Sequence, residues 1–145
     1  MPVFVDTNVL VYARDASEPE KQPLARQWTD ALWEEKSGRL SVQVLSEFYV
    51  VTTMKLSPGL SPDAARLDVA DLMAWRPLAI DGSLVEAAWS VQDRHTVSFS
   101  DSLVVAAAQR LECELLLSED LQDGYAFGPT TVVDPFRHPP GDLAA

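Results

Sequence analysis

Residues 3–10 read VFVDTNVL, and this segment decides the fold. Its first part, Val3-Phe4-Val5, is apolar without interruption, which is typical of a strand buried on both faces. The polar triplet Asp6-Thr7-Asn8 follows at once, and apolar residues then resume in a short predicted helix over residues 9–14. A strand that passes directly into a helix favours a parallel sheet covered by helices, with the polar triplet at the carboxyl end of the strand.

The remainder of the chain alternates between short apolar runs and longer amphipathic segments. Further strands are predicted around Leu40 and at residues 78–80, 115–117 and 131–133. Further helices are predicted to begin at Ser17, with Pro19 in the first turn, and at Val42, Ser61, Asp81 and Ser102. This alternation predicts crossover connections, and hence an α/β protein of three layers, α/β/α, around a mainly parallel sheet of about four to five strands.

Length and composition indicate one domain. The chain has 145 residues, of which 47% are hydrophobic and 23% charged, and its single cysteine is Cys113. A chain of this length can bury a core without disulfides or structural metal, and one cysteine excludes an internal disulfide. We expect residues 1–133 to form a single domain, and residues 134–145, which are rich in proline, to form an irregular C-terminal tail.

Composition also excludes several functional classes. The longest apolar run, residues 103–108, is too short to cross a membrane, so we expect no membrane contact and a cytoplasmic location. The six glycines form neither a GxGxxG turn nor a P-loop, which excludes dinucleotide and P-loop chemistry. With 11 basic and 22 acidic residues, the net charge of −11 disfavours non-specific nucleic-acid binding unless metal ions offset it, and it suits a basic partner.

Four acidic residues stand at informative positions. Asp6 and Asp120 follow predicted strands, and Asp101 begins a predicted helix. Glu47 lies on the apolar face of a helix with no basic residue one turn away. Each acid alone has an ordinary explanation: a buried acceptor for Asp6, a loop residue for Asp120, a helix cap for Asp101 and a local salt bridge for Glu47. A parallel sheet, however, gathers its strand ends at one edge, which favours a shared site.

Four carboxylates in one pocket repel one another, by about 4 kcal/mol for each pair 4 Å apart at an effective dielectric near 20. Protonation or divalent cations must relieve this repulsion. Oxygen ligands without histidine or cysteine select Mg²⁺ or Mn²⁺ over zinc. Such ions polarise a phosphoryl oxygen and activate water, so the four acids predict phosphodiester hydrolysis.

Together these segments resemble the motifs of PIN domains, in particular those of VapC-type toxin ribonucleases of toxin–antitoxin pairs. The segments are Asp6-Thr7-Asn8-Val9-Leu10, Ser46-Glu47-Phe48, Ser100-Asp101-Ser102-Leu103 and Ser118-Glu119-Asp120-Leu121. The resemblance extends from Val3 to about Val133. Each motif alone has low specificity, but their combination in this order is specific.

The resemblance implies a PIN-like fold and metal-dependent cleavage of RNA by a type II toxin. It implies that Asp6, Glu47, Asp101 and Asp120 bind Mg²⁺ or Mn²⁺ and catalyse hydrolysis. Asp6 and Asp101 would be direct ligands, and Glu47 and Asp120 would ligate through water or orient the attacking water. Thr7, Asn8 and Ser118 would hold the carboxylates and substrate. The implied partners are RNA, a second copy in a homodimer, and a small antitoxin that carries basic residues.

Two other functions are weighed against this one. A phosphoryl-transfer protein of the receiver or haloacid-dehalogenase type also has an aspartate after its first strand. It needs a lysine near a later strand end, whereas Lys21, Lys36 and Lys55 all fall in predicted helices or at their ends. The other alternative is a catalytically silent PIN-like protein that only binds a partner, although such a module has no need of clustered like charges.

Overall fold

A five-stranded sheet forms the centre of the protein in the computed structural model, which describes residues 1–143. The strands are β1 Val3–Val5, β2 Gly38–Arg39, β3 Leu115–Leu117, β4 Ala126–Phe127 and β5 Thr130–Val133. Their order in the sheet is β2-β1-β3-β5-β4, and only β4 runs antiparallel to its neighbour. The central pair is in register from Val3 opposite Leu115 to Val5 opposite Leu117, so both strands end at the same edge.

Six α-helices flank the sheet, and the predicted three-layer α/β class is confirmed. They are α1 Thr7–Tyr12, α2 Lys21–Glu35, α3 Val42–Val50, α4 Pro62–Leu72, α5 Gly82–Arg94 and α6 Phe99–Arg110. Shorter helical segments are the π-helix Val51–Lys55 and the 3₁₀-helices Met73–Trp75 and Pro140–Leu143. The sheet contributes the centre of the core, where Phe4, Leu116 and Val132 are fully buried. None of the helices in residues 1–143 has the length and apolarity of a membrane span.

One predicted strand, at residues 78–80, is wrong. Leu78 makes a single parallel bridge with Ser41, and the chain then leaves the sheet. Ile80 is 39% exposed, and Asp81 already accepts a hydrogen bond from the Leu84 backbone amide as the cap of α5. The short capping segment therefore leaves no room for a strand. The fifth strand is instead β4, which pairs with β5 as a hairpin and was not predicted.

Two predicted helix starts also differ from the structure. Ser17 does not cap α2, because its amide and hydroxyl donate to the Asp15 carboxylate at 3.0 and 2.6 Å, and the helix begins four residues later at Lys21. The last helix begins at Phe99, earlier than the predicted Ser102, because Ser98 is its cap and accepts from the Asp101 amide at 3.1 Å.

Residues 134–143, the described part of the segment for which we expected irregular structure, pack against the helices; residues 144 and 145 lie outside the described residues. They form turns and then the 3₁₀-helix Pro140–Leu143. The Trp28 indole donates to the His138 carbonyl at 2.8 Å, and the Phe136 ring stands edge-on to Tyr12 with centroids 5.1 Å apart. These contacts hold the segment against α1 and α2.

Candidate active site

Asp6 stands where β1 ends and α1 begins, and it serves both elements. Its backbone is extended and its side chain caps α1, accepting from the Thr7 amide at 2.8 Å. The other carboxylate oxygen accepts from the hydroxyl of Ser118, which follows β3, also at 2.8 Å. The residue is only 4% exposed. The local fold therefore fixes a buried carboxylate at the carboxyl edge of the two central strands.

Asn8 joins Asp6 to Asp120 across this edge. Its side-chain nitrogen lies 3.2 Å from Asp6 Oδ2 and 3.2 Å from Asp120 Oδ2. Its side-chain oxygen accepts from the Glu119 amide at 3.1 Å, and the Asp120 amide donates to Ser118 Oγ at 3.1 Å. The loop after β3 is thus tied to the start of α1, and the carboxylates of Asp6 and Asp120 share one amide group.

Glu47 reaches the same edge from α3. Its Oε2 accepts from the Thr7 hydroxyl at 2.9 Å. Its Oε1 accepts from the Gln43 amide at 3.3 Å and from the Ser100 hydroxyl at 3.4 Å. Glu47 therefore faces the residue after Asp6 on one side and the residue before Asp101 on the other.

Asp101 is the third residue of α6, where the Ser98 cap fixes its backbone. Burial raises the pKa of Asp101 above its usual range, and repulsion from Asp120 and Glu47 raises it further. The hydrogen bond with Ser98 opposes that rise. The negative charges of Asp120 and Glu47 therefore act on the Asp101 carboxylate.

The carboxyl group of Asp6 is strongly perturbed by its surroundings. Burial raises the pKa of Asp6 to about 7, against hydrogen bonds from Ser118 and Thr7 that lower it, and the charges of Asp120 and Asp101 add to the rise. Among residues 1–143, no lysine, arginine or histidine forms an ion pair with any of the four acids. The site therefore concentrates negative charge without a positive partner from the protein.

The chemistry of these donors fits a hard divalent cation, since all four acids offer carboxylate oxygens and one is buried without a counter-charge. Their spacing is wider than that of a closed ion site. Within the described residues, no three Asp, Glu, His or Cys side chains stand close enough together to hold one ion. Asn8 and Thr7 occupy the positions between carboxylates, so a shared ion would draw the acids closer than they stand.

A cleft of about 650 Å³ opens beside the acids. Its lining includes Glu47, Asp120, Thr7 and Asn8 of the site. The rest of the lining is a mixture of apolar and charged or polar residues, namely Val11, Tyr12, Asp15, Glu18, Ser46, Val50, Val51, Lys55 and Leu56. The cleft gives an extended ligand access to the acidic edge.

The structure thus brings together Asp6, Glu47, Asp101 and Asp120 with Thr7, Asn8 and Ser118, the full set expected from the sequence. Sequence reasoning missed Gln43, Ser98 and Ser100, which position Glu47 and Asp101. A signal for Gln43 was available, because it precedes Glu47 by one helical turn. Ser98 was detectable as the first residue of Ser98-x-x-Asp101, which has the form of a capping box.

Comparison with known proteins identifies the class to which this fold and site belong. The family model described as the PIN domain matches residues 3–122. The chain therefore belongs to the PIN domain family. No curated protein matches the chain significantly.

Solved structures with the same fold are found among toxins and their complexes. Mycobacterium tuberculosis VapC20, described as a sarcin–ricin loop cleaving toxin, is similar with a TM-score of 0.59 and 21% identity over 79% of this chain and 86% of its own. A toxin–antitoxin complex from Klebsiella pneumoniae is similar with a TM-score of 0.66 and 17% sequence identity. The match covers 93% of this chain and 98% of the other chain. The structure of FitAB bound to an IR36 DNA fragment is similar with a TM-score of 0.69 and 19% sequence identity. The match covers 92% of this chain and 95% of the other chain.

Proposed function

We propose that the protein is a metal-dependent endoribonuclease, the toxin of a type II toxin–antitoxin pair, that hydrolyses phosphodiester bonds of RNA. The observation that carries the proposal is the convergence of four carboxylates, one of them buried, at one strand edge without a basic partner. PIN nucleases generally use divalent metal ions, and the description of VapC20 as a sarcin–ricin loop cleaving toxin supports RNA as the substrate class.

Asp6 and Asp101 would hold Mg²⁺ or Mn²⁺ directly, and Glu47 and Asp120 would complete the site directly or through water. When bound, the ion would polarise the phosphoryl oxygen and lower the pKa of water. The protein's own groups have separate tasks. Ser118 and the Thr7 amide fix the orientation of Asp6, and Asn8 keeps Asp120 beside it.

Glu47 is the group best placed to accept the proton of the attacking water. Thr7, Gln43 and Ser100 hold its two carboxylate oxygens from different sides, so its position is set before substrate arrives. Glu47 also lines the cleft, where it can meet solvent and the RNA strand. A positioned carboxylate of this kind contributes typically 10²–10⁴-fold as a general base.

The proposed partners follow from the same comparisons and from charge. The described neighbours include a toxin–antitoxin complex, and a net charge of −11 favours a small antitoxin with basic residues. We further propose that the protein forms a homodimer, as its resemblance to VapC-type toxins implies, and that it acts in the cytoplasm.

RNA cleavage by the purified protein tests this function. Cleavage should require Mg²⁺ or Mn²⁺, stop with EDTA, and be absent in Asp6→Asn. The matched control is Asp93→Asn, which changes an exposed aspartate on α5 outside the site. This variant should cleave RNA like the wild type. Cleavage that persists in EDTA, or that Asp6→Asn retains, would rule out the proposed site.

The alternative is a catalytically silent PIN-like protein that binds a partner. One observation favours it: in the part of the chain that the structure describes, no three acids stand close enough together to hold an ion. The same assay decides between the two, because a silent protein cleaves no RNA with either ion while remaining folded.

A further inference from the structure

A second pocket, of about 290 Å³, lies between the loop that joins α5 to α6 and the loop that follows β3. We call it the His95 pocket. One wall includes Leu121, which directly follows Asp120 in the chain. On the other wall, Val97 precedes the Ser98 cap of the helix that carries Asp101. The His95 pocket is therefore formed in part by the two segments that carry Asp101 and Asp120.

One wall of the His95 pocket is a fixed aromatic cluster. His95 Nδ1 and the Tyr125 hydroxyl share a hydrogen bond of 2.7 Å. The Phe127 ring stands 4.8 Å from the His95 ring and 4.6 Å from the Tyr125 ring, measured between centroids. Phe127 is buried, whereas Tyr125 is 36% exposed. Buried Phe127 therefore supports the cluster from the protein interior, while Tyr125 is partly accessible to solvent. Unstacked RNA bases bind to accessible aromatic rings.

Three further polar residues of the His95 pocket have side chains that make no hydrogen bond or ion pair within the described part of the chain. Arg94, Thr96 and Gln122 line it and are exposed. Among the hydrogen bonds and ion pairs of residues 1–143, none involves these three side chains. An arginine can bind phosphate or stack on a base, and a glutamine amide can both donate to and accept from a base edge.

Charge distinguishes the His95 pocket from the main cleft. The lining of the main cleft includes the acids Asp15, Glu18, Glu47 and Asp120, with Lys55 as its basic residue. The lining of the His95 pocket contains Arg94 and no acid. In a protein with a net charge of −11, the His95 pocket is therefore the more favourable place beside the acids for a polyanion.

We propose that the His95 pocket binds one unpaired base of the RNA substrate. This inference rests on the proposed ribonuclease function. Tyr125 provides the stacking face, and the His95 ring, which stands at 81° to it, contacts the edge of the base. Gln122 hydrogen-bonds to the base edge, and Arg94 binds a neighbouring phosphate. The volume is near the lower end of the range for small-ligand sites, about 300–1,000 Å³, and so suits one base and not a base pair.

Equilibrium binding of RNA tests the proposal without cleavage. The parent is Asp6→Asn in the full chain, and the probe is a fluorescein-labelled, random-sequence RNA of about ten nucleotides. Adding Tyr125→Ala should raise Kd about tenfold at both low and high salt, because stacking is weakly screened. Adding Arg94→Gln should raise Kd at low salt only, because a phosphate contact is lost to counterions. The control Trp89→Ala removes an aromatic residue that is 53% exposed on α5 outside the pocket, and should not change Kd.

Tyr125→Phe separates stacking from a structural role. It removes the hydroxyl that bonds His95 but keeps the ring, so Kd should stay within about twofold of the parent. The proposal is overturned if Tyr125→Ala binds like the parent, or if Tyr125→Phe loses as much affinity as Tyr125→Ala. The proposed ribonuclease function fails separately if the wild-type chain cleaves no RNA with Mg²⁺ or Mn²⁺, so the two failures are distinguishable.

Discussion

Among single residues, Asp6 is central to the site, because three structural properties combine in its side chain. It caps α1, it accepts the Ser118 hydroxyl from the neighbouring strand end, and it is buried. A buried carboxylate without a cation is costly when ionised, so the protein alone favours its protonated form. A bound divalent cation would reverse that preference. The pKa of Asp6 therefore links folding, pH and metal binding.

Stability against pH should reveal this residue in metal-free protein. The pKa of Asp6 is about 7 in the folded state, against an ordinary value of 3.8. Between those pH values the folded state keeps a proton that the unfolded state has lost, so stability falls as pH rises and the loss is complete above about 7. Asp6→Asn keeps the cap and cannot ionise. In urea unfolding with EDTA, its advantage over the wild type should grow from pH 5 to pH 8, by on the order of 2 kcal/mol. Parallel profiles would contradict the raised pKa.

The sequence could predict the acids better than the groups that hold them. Asp6 and Asp120 follow strands, and that position alone assigns them to one sheet edge. Ser100 contacts Glu47 only because α3 and the start of α6 meet there, 53 residues apart in the chain. No local pattern encodes such a contact, so it appears only in the folded protein.

At the scale of elements, helix starts deliver two of the four acids. Asp6 is the cap of α1, and Asp101 lies in the first turn of α6 behind its own cap, Ser98. The carboxylates are therefore oriented by backbone geometry that the helices impose. A change in a cap should alter both stability and the site.

Two serine caps allow this to be measured. Ser98 caps α6 and Ser61 caps α4, and each accepts from an amide three residues later at 3.1 Å. Either serine replaced by alanine should cost about 1 kcal/mol, or about 3 °C in Tm. Only Ser98→Ala should also lower kcat/KM for RNA, by about tenfold, because it loosens the turn that carries Asp101. Equal activity in both variants would show that the cap of α6 has no role in orienting Asp101.

The start of β2 depends on a glycine for steric reasons. A Cβ at Gly38 would lie 2.5 Å from atoms of the Trp75 indole, whereas a Cβ at Gly82 would meet nothing within 4 Å. Gly38→Ala should therefore destabilise the protein by about 1–3 kcal/mol. Gly82→Ala should leave Tm unchanged or slightly raise it. Thermal unfolding of both variants measures the difference, and a neutral Gly38→Ala would contradict the close packing of Trp75 on β2.

Elements were predictable where the local pattern and the fold agree. The apolar runs at β1 and β3 are buried by helices and became strands as expected. The run at 78–80 is also wholly apolar, but it leads into the Asp81 cap and makes one bridge. β4 has two residues and gains its identity from pairing with β5, so its sequence alone carries too little signal.

At the scale of the whole molecule, the topology explains why acids distant in sequence meet. Parallel β1 and β3 lie side by side at the centre of the sheet, which brings Asp6 next to residues 118–120. Helices α3 and α6 then supply Glu47 and Asp101 at the same edge. The fold thus concentrates like charge, and the free energy of that repulsion is available to bind a cation.

Mn²⁺ binding is the most direct test of this account. The free-ion electron paramagnetic resonance signal should fall as protein is added, and Asp93→Asn should behave like the wild type. Asp6→Asn should leave most of the Mn²⁺ free. Binding should also stabilise the wild type, by about 2.7 kcal/mol when the ion exceeds Kd 100-fold. An undiminished signal with the wild type, or equal binding by Asp6→Asn, would contradict a metal site built on these four acids.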